Sequence, residues 1–142
     1  MNNGLKVRAD QSSGHVWCGP AVLSAALQIT TSEAEKIILL CSLRKYMKAV
    51  TYAEMCHALA SQGVRFFPET FDRENVNCPQ LSDWLETREK DLTYLVCITG
   101  HWIAVRGNHW VCNMNREARL LEKCPYLEAR VRFTIQLLED RK

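Results

Sequence analysis

The sequence predicts an α+β fold in which helices come first and an antiparallel sheet follows. Residues 18–87 carry mostly helical patterns and helix caps, whereas residues 93–138 carry short β-branched or alternating segments separated by turns. Strands that follow one another without helices between them favour an antiparallel sheet that is segregated from the helices. We therefore expect an N-terminal buried helix packed on a C-terminal antiparallel β-sheet, with extra helices between.

The composition is that of an ordinary globular protein, and we expect a single domain over residues 1–142. The chain is 47% hydrophobic and 24% charged, which suffices for one core. A net charge of +2 is too small to imply nucleic acid as a partner, and the basic cluster Arg44–Lys48 is interpreted as a solvated helix end. The longest aliphatic run, Ile37–Leu40, is far too short to span a bilayer, so no membrane partner is expected. The sequence leaves the oligomeric state open.

The cysteines argue against a secreted disulfide scaffold. There are seven of them, an odd number, and no two are spaced as C-x-x-C. Most lie in apolar stretches, where a free cysteine behaves as a small hydrophobic residue. The first residues are polar and show no signal peptide. The expected location is cytoplasmic, or the cytosol of a host into which the protein is delivered as an effector.

The first two helices are expected within residues 18–43. The first begins near Cys18, because Pro20 fits a helix only in its first turn, and it extends to Ile29. Nearly all of its faces are apolar, which is typical of a central, buried helix. The second begins at the capping box Ser32–Glu35 and ends at about Leu43.

Two more helices and a short strand follow. The capping box Thr51–Glu54 starts the third helix, and Gly63 should stop it. Val64–Phe67 is predicted as a strand ended by Pro68. The fourth helix is predicted over Pro79–Thr87.

The C-terminal third of the chain predicts four strands. Thr93–Ile98 is β-branched and apolar, as in a core strand, and His101–Arg106 follows it. The turn signal Gly107-Asn108 then leads to a strand over His109–Met114. Arg130–Leu138 alternates apolar and polar residues, as a half-buried strand does.

Cys18 is a candidate nucleophile because it stands at the start of the first helix, in the run Trp17-Cys18-Gly19-Pro20-Ala21-Val22-Leu23. The unpaired N–H groups and the positive dipole end at a helix start stabilise a thiolate. A buried helix needs no cysteine there for packing. The alternative is a structural thiol like the other six.

His101 is the best candidate for the base that a thiol nucleophile needs. It follows a glycine and begins a strand, where its side chain can face the helix start. His15 is a poorer candidate, since a residue so near Cys18 in sequence would need a tight fold-back. Gln11 would supply a side-chain N–H to the oxyanion, together with the backbone N–H of Cys18.

An imidazole base needs an acceptor on its other nitrogen, and the strand after Gly107-Asn108 brings two asparagines towards His101. A strict two-residue turn pairs residue 101 with 114. A longer or bulged turn pairs 101 with 115 and places Asn113 on the same face. Asn113 is favoured for the orienting role, and Asn115 is the alternative.

These residues, taken in order, resemble the papain-like cysteine peptidase superfamily, and within it the compact C39-like and Josephin-like branches. The helix start Cys18-Gly19-Pro20-Ala21 is more C39-like. His101–Arg106 followed by Trp110–Asn115 is similar to the Josephin pattern, in which Asn115 would take the orienting role. Residues 32–90 match no subfamily. Two departures are that Gln11 lies one residue further from the cysteine than usual, and that Cys112 stands where several small relatives carry an acidic residue.

The resemblance implies a papain-like fold and acyl transfer without a cofactor. The expected activity is hydrolysis of a peptide or isopeptide bond in a protein or peptide substrate through a thioester intermediate. Cys18 would be the nucleophile, His101 the base, Asn113 the orienting residue and Gln11 the oxyanion donor.

Other functions fit parts of the same pattern. A catalytically inactive papain-like binding or inhibitor module would keep the fold, and a deamidase or acyltransferase would use the same triad. Trp17-Cys18-Gly19-Pro20 is also how a thioredoxin motif opens, but Ala21 stands where the resolving cysteine should be. No Cys or His spacing matches a zinc finger, so a metal site is not expected.

Overall fold

The computed structural model describes residues 4–10, 16–71 and 78–138. Helices lead and a sheet follows, as predicted. The helices in these ranges are α1 (Cys18–Leu27), α2 (Thr31–Ser42), α3 (Tyr52–Ser61) and α4 (Leu81–Leu85). The strands are β1 (Phe66–Thr70), β2 (Tyr94–Ile98), β3 (His101–Arg106), β4 (His109–Val111), β5 (Arg119–Leu120) and β6 (Val131–Leu137). They form one antiparallel sheet in the order β1-β6-β2-β3-β4-β5.

The sheet separates two apolar clusters. On one face, Trp102 and Ala104 of β3 pack in the same cluster as α1. On the other face, Ile103 and Val105 of β3 pack in the same cluster as α4. Successive residues of a strand point to opposite faces, so the central strands are buried on both sides. The five residues of β2 are all buried for this reason.

Helix α1 is buried as its composition predicts. Residues 19–25 are all buried, and the helix contacts β3. The one buried hydroxyl in this stretch is satisfied, because Ser24 Oγ donates to the Ile29 carbonyl at 2.7 Å and accepts from the Arg8 backbone N–H at 2.9 Å. The helix ends at Leu27, two residues earlier than expected, since Gln28 adopts a left-handed conformation with φ 62°.

Val50 fixes the start of α1 against β3. A Cβ on Gly19 would lie 2.3 Å from Val50 Cγ2, so only glycine allows this approach. The Trp102 indole N–H donates to the Val50 carbonyl at 2.9 Å in a buried hydrogen bond. One residue thus contacts the residue after Cys18 and the residue after His101.

The caps of α2 and α3 differ in how well the sequence predicted them. The predicted box at Ser32–Glu35 is wrong: Thr30 caps α2, because its hydroxyl accepts from the Glu33 N–H at 3.1 Å and Glu33 accepts from the Thr30 N–H at 3.0 Å. The Ser32 hydroxyl donates instead to Asp10 at 2.9 Å. The box at Thr51–Glu54 is confirmed.

Three boundaries differ from the prediction. Strand β1 does not end before Pro68 but passes through it, which is possible because β1 is an edge strand with β6 as its one neighbour. Helix α4 is shorter than predicted and begins at Leu81. Strand β4 stops at Val111 rather than Met114, because the Cys112 backbone N–H donates to the Asn115 carbonyl at 3.2 Å and turns the chain.

We expect Gly19→Ala to destabilise the protein by about 1–3 kcal/mol, because the added methyl overlaps Val50. This is opposite in sign to the usual gain of roughly 1 kcal/mol for Gly→Ala within a helix. In a Val50→Gly background neither Cγ2 nor Cβ, which lies 2.8 Å from the added methyl, remains, and the same change should be neutral or stabilising. The free energy of unfolding in urea measures all four proteins of this cycle. An equal cost in both backgrounds would contradict the close contact.

Candidate active site

Cys18 is the first residue of α1 and is half-buried. Its thiol lies beside the backbone N–H of Trp102, the peptide group that joins His101 to Trp102. Burial raises the pKa of the Cys18 thiol, and the N–H groups of Trp102, Cys18 and Gly19 oppose this only in part. The helix start thus favours the thiolate as expected, but desolvation outweighs it and the resting thiol is protonated at neutral pH.

His101 is the first residue of β3 and follows a tight hairpin turn. Thr99 and Gly100 both have positive φ, at 26° and 78°, and Ile98 pairs with His101 across this two-residue turn. The His101 ring packs against Tyr126, with centroids 5.1 Å apart. Burial lowers the pKa of His101, which keeps the imidazole neutral at pH 7.

The thiol and the imidazole reach the same end of the sheet from different sides. Cys18 belongs to the α1 side, whereas the alternation of β3 places His101 with Ile103 on the other face, where Tyr126 lies. Strand β3 begins at His101, so both groups lie at this end of the sheet. No hydrogen bond joins them in the part of the chain that the structure describes, and His101 Nε2 is buried there without a partner.

The register after β3 corrects the argument that favoured Asn113. Arg106 pairs with His109, so Gly107-Asn108 is a strict two-residue turn and not the longer turn that would place Asn113 beside His101 on one face. The ladder stops at Ala104 and Val111. The positions of both asparagines are set by the turn over residues 112–115 instead.

Asn113 contacts the start of α1. Its Nδ2 donates to the Val16 carbonyl at 3.0 Å, two residues before Cys18. Its Oδ1 is buried and has no partner within the described ranges. The Oδ1 atom of Asn113 can therefore accept a hydrogen bond close to the start of α1, where Cys18 lies.

Asn115 has both of its polar atoms engaged. Its Oδ1 accepts from the Cys112 thiol at 3.1 Å, and its Nδ2 donates to the Trp110 carbonyl at 3.2 Å. The side chain is 7% exposed. These bonds indicate a structural role for Asn115 in the turn that ends β4.

The other predicted residues lie outside the described part of the chain. Gln11, the predicted oxyanion donor, and His15, the poorer candidate for the base, both fall between residues 10 and 16. Their roles stay predictions.

Two neighbours of the site were missed by sequence reasoning. Tyr126 packs on His101 from the segment before β6, and nothing in the sequence signals that contact. Cys97 pairs with Trp102 across the hairpin, and its thiol is near enough to Cys18 for a thiolate at Cys18 to raise the pKa of Cys97. Because Ile98 pairs with His101 across the two-residue turn at Thr99-Gly100, the next pair along the hairpin is Cys97 with Trp102.

A cavity of about 800 Å³ adjoins the site on the α1 side of the sheet. It is lined by residues 50–53, Thr70, Phe71, Cys97 and Phe133. Tyr52 and Phe133 stack with ring centroids 4.6 Å apart. Because Val50 also contacts the first turn of α1, the cavity begins next to the residue that follows Cys18.

Two features are absent from the described residues. No helix among them is long and apolar enough to cross a membrane. No three His, Cys, Asp or Glu side chains in these ranges come together as the ligands of a metal ion would.

The sequence matches no protein-family model and no curated protein. Among solved structures, the fold is similar to the peptidase domain of Streptococcus ComA, described as a bifunctional ABC transporter involved in a quorum-sensing pathway. The TM-score is 0.56, the sequence identity is 15%, and the likeness covers 96% of this chain and 99% of that domain. The protein therefore has the predicted α+β, papain-like fold.

Cys97 makes stability sensitive to alkali. Burial raises the pKa of its thiol from 9.0 to about 11, so the folded protein holds this proton more tightly than the unfolded chain does. The contribution to stability is complete below pH 9 and is lost as the pH rises from 9 to about 11. Urea unfolding at a series of pH values should show this decline, and Cys97→Ala should flatten part of it. Cys41→Ala, on α2, is the matched control, and an equal decline in both variants would contradict the assignment.

Proposed function

We propose that the protein is a cysteine-dependent hydrolase of the papain-like type, related to the compact C39-like and Josephin-like peptidases, that cleaves a peptide or isopeptide bond. The observation that carries the proposal is the position of the Cys18 thiol. It lies at the start of a buried helix and beside the peptide group that follows His101. The fold shared with a peptidase domain supports the same conclusion.

In the proposed mechanism His101 acts as a general base. Burial raises the pKa of the thiol and lowers that of the imidazole, so the resting pair is neutral. The imidazole takes the thiol proton as sulfur attacks the carbonyl carbon, which requires the ring to approach Cys18 around the end of the sheet when substrate is bound. It then gives this proton to the leaving amine as the carbon–nitrogen bond breaks. Water, deprotonated by His101, hydrolyses the thioester and frees the acid and the thiol.

Asn113 is the proposed orienting residue. A buried imidazole nitrogen and a buried amide oxygen are both without partners, and buried polar groups are rarely left so. A hydrogen bond from His101 Nε2–H to Asn113 Oδ1 would satisfy both atoms and stabilise the imidazolium that forms during the reaction. Catalytic hydrogen bonds often form fully only with substrate bound. Asn115 is less suited, because its amide is already engaged.

The oxyanion would form at the start of α1. The backbone N–H of Cys18 belongs to the first turn, whose N–H groups have no partners within the helix. Gln11 is proposed as the second donor, on the resemblance alone. Two such donors are worth about two orders of magnitude each in rate.

The substrate is proposed to be a protein or peptide with an apolar side chain near the scissile bond. The cavity beside Gly19 is lined mainly by apolar groups, including the stacked rings of Tyr52 and Phe133. A catalytically inactive binding module with the same cavity is the second candidate. The raised pKa of the Cys18 thiol favours this candidate, because a protonated thiol is a weak nucleophile. Trapping experiments distinguish the two.

An electrophilic peptide or ubiquitin-like probe should modify the wild-type protein at Cys18. We expect Cys18→Ala and His101→Ala to abolish labelling, and Asn113→Ala to slow it by about tenfold or more because the imidazole loses its orienting acceptor. Asn115→Ala should slow labelling much less while lowering the free energy of unfolding by about 1–3 kcal/mol. Mass spectrometry of the labelled peptide gives the site and the rate.

Cys41→Ala, on α2, is the control for general thiol reactivity, and turnover of an insulin disulfide tests the thioredoxin-like alternative. Labelling that survives His101→Ala unchanged, or that is spread over several cysteines, would rule out the proposed mechanism and favour the inactive module. Equal losses of rate in the two asparagine variants would overturn the choice of Asn113.

The alkylation rate of Cys18 should depend on pH as a neutral thiol–imidazole pair requires. Burial raises the thiol pKa above 9.0, so the thiolate fraction at pH 7 is small, and the rate with iodoacetamide should climb about tenfold per pH unit up to at least pH 9. A plateau that begins near pH 5 would reveal a preformed thiolate–imidazolium pair and would contradict this resting state. His101→Ala should leave the profile nearly unchanged.

A further inference from the structure

The end of α2 carries an exposed apolar surface that the proposed catalytic site does not use. Leu40, Leu43 and Tyr46 are 76%, 90% and 77% exposed, and they are three of the four most exposed large hydrophobic side chains in the described ranges. Leu40 lies in the last turn of α2, Leu43 follows as the C-cap of that helix, and Tyr46 is within about 11 Å of Leu43 along the chain. We call these three residues the Leu40–Tyr46 surface.

Leu43 is unusual in its backbone as well as in its exposure. It caps α2 in the left-handed conformation, with φ 57° and ψ 37°. That position favours glycine or asparagine and costs free energy for a branched, apolar side chain. Since Leu43 is 90% exposed, packing within the chain does not repay the cost. Contact with something outside the chain explains a leucine here.

The charged side chains of residues 36–48 are all positive, and Glu54 of α3 neutralises one of them, Arg44. Residues 36–48 contain Lys36, Arg44, Lys45 and Lys48 and no Asp or Glu. Arg44 forms an ion pair with Glu54 and donates to the Ala49 carbonyl at 2.9 Å, which holds the segment after α2 in place. The three lysines are exposed. An anionic partner complements them, whereas a second copy docking through the same surface would be repelled.

The size of the surface favours a lipid surface over a protein. Its groove has a volume of about 450 Å³ and is lined by Leu39, Leu40 and Leu43 with Lys36 and Arg44. A stable protein interface takes about 20–30 residues on each side, many more than are present here. A membrane surface needs only a few apolar side chains and nearby cations. Tyrosine and lysine are well suited to the headgroup region, because each has an apolar stem and a polar end.

We propose that the Leu40–Tyr46 surface attaches the protein reversibly to an anionic phospholipid surface. Leu40, Leu43 and Tyr46 enter the headgroup region, and the lysines at 36, 45 and 48 contact the lipid phosphates and carboxylates. The protein lies on the membrane without spanning it, so the inference agrees with the absence of a spanning helix from the described residues. It revises the expectation of no membrane partner, which rested on the length of apolar runs. It is independent of the proposed catalytic function.

Co-sedimentation with vesicles tests the proposal. Wild-type protein should bind vesicles of phosphatidylcholine with about one third phosphatidylserine, and binding should weaken when salt rises from about 0.05 M to about 0.3 M. Binding to pure phosphatidylcholine vesicles should be at least about tenfold weaker. Leu43→Asn suits the left-handed backbone, so it should fold normally and bind at least about fivefold more weakly. Lys45→Glu combined with Lys48→Glu should weaken binding by about 25-fold or more, at roughly fivefold per lysine.

Matched controls lie elsewhere on the surface. Phe67→Gln removes a side chain that is 57% exposed on β1, and Lys90→Glu reverses an exposed charge before β2. Both should bind like wild type, and thermal unfolding should show that all variants fold. Equal binding to neutral and anionic vesicles, no binding to either, or losses as large in the controls would overturn the proposal. Binding of a polyglutamate peptide without binding of anionic vesicles would overturn it in favour of an acidic protein partner.

Discussion

The contact between Gly19 and Val50, together with the hydrogen bond from Trp102 to Val50, is the constraint on which the rest of the molecule depends. Helix α1 and strand β3 are far apart in sequence, and Val50, which lies between α2 and α3, fixes their position relative to each other. Van der Waals overlap excludes any side chain larger than hydrogen at position 19, and a buried donor fixes the carbonyl of residue 50. The residues next to these two contacts are Cys18 and His101, so the geometry of the candidate site follows from the packing of the core.

The candidate site holds a half-buried thiol and a half-buried imidazole that are both neutral at rest. Burial acts in opposite directions on an acid and a base: it raises the pKa of the thiol and lowers that of the imidazole. The N–H groups at the helix start offset the first effect only in part. In the proposed mechanism, such a site separates charge only when a substrate supplies the electrophile that draws the proton from the thiol to the imidazole.

The sequence predicted the order of the elements and the burial of α1 and β2 because these depend on local rules. Pro20 locates a helix start, and continuous apolar residues indicate burial on all faces. The errors occur where two signals of equal strength compete. Thr30 and Ser32 both begin a valid capping box, and Asp10 decides between them by binding the Ser32 hydroxyl. The end of β4 depends on a thiol–amide contact between Cys112 and Asn115, which no periodicity reveals. The candidate base and nucleophile could be read from motif order, whereas Tyr126 and Val50 reach the site by tertiary packing alone.

The two edge strands of the sheet limit how an extended polypeptide could bind to it. Pro68 interrupts the amide row of β1 at one border, and β5 at the other is only two residues long. Neither border offers an unbroken ladder on which an extended chain could be added as a further strand. This blunts edge-to-edge self-association, and under the proposed function it means that the substrate is selected by side-chain pockets rather than by strand addition.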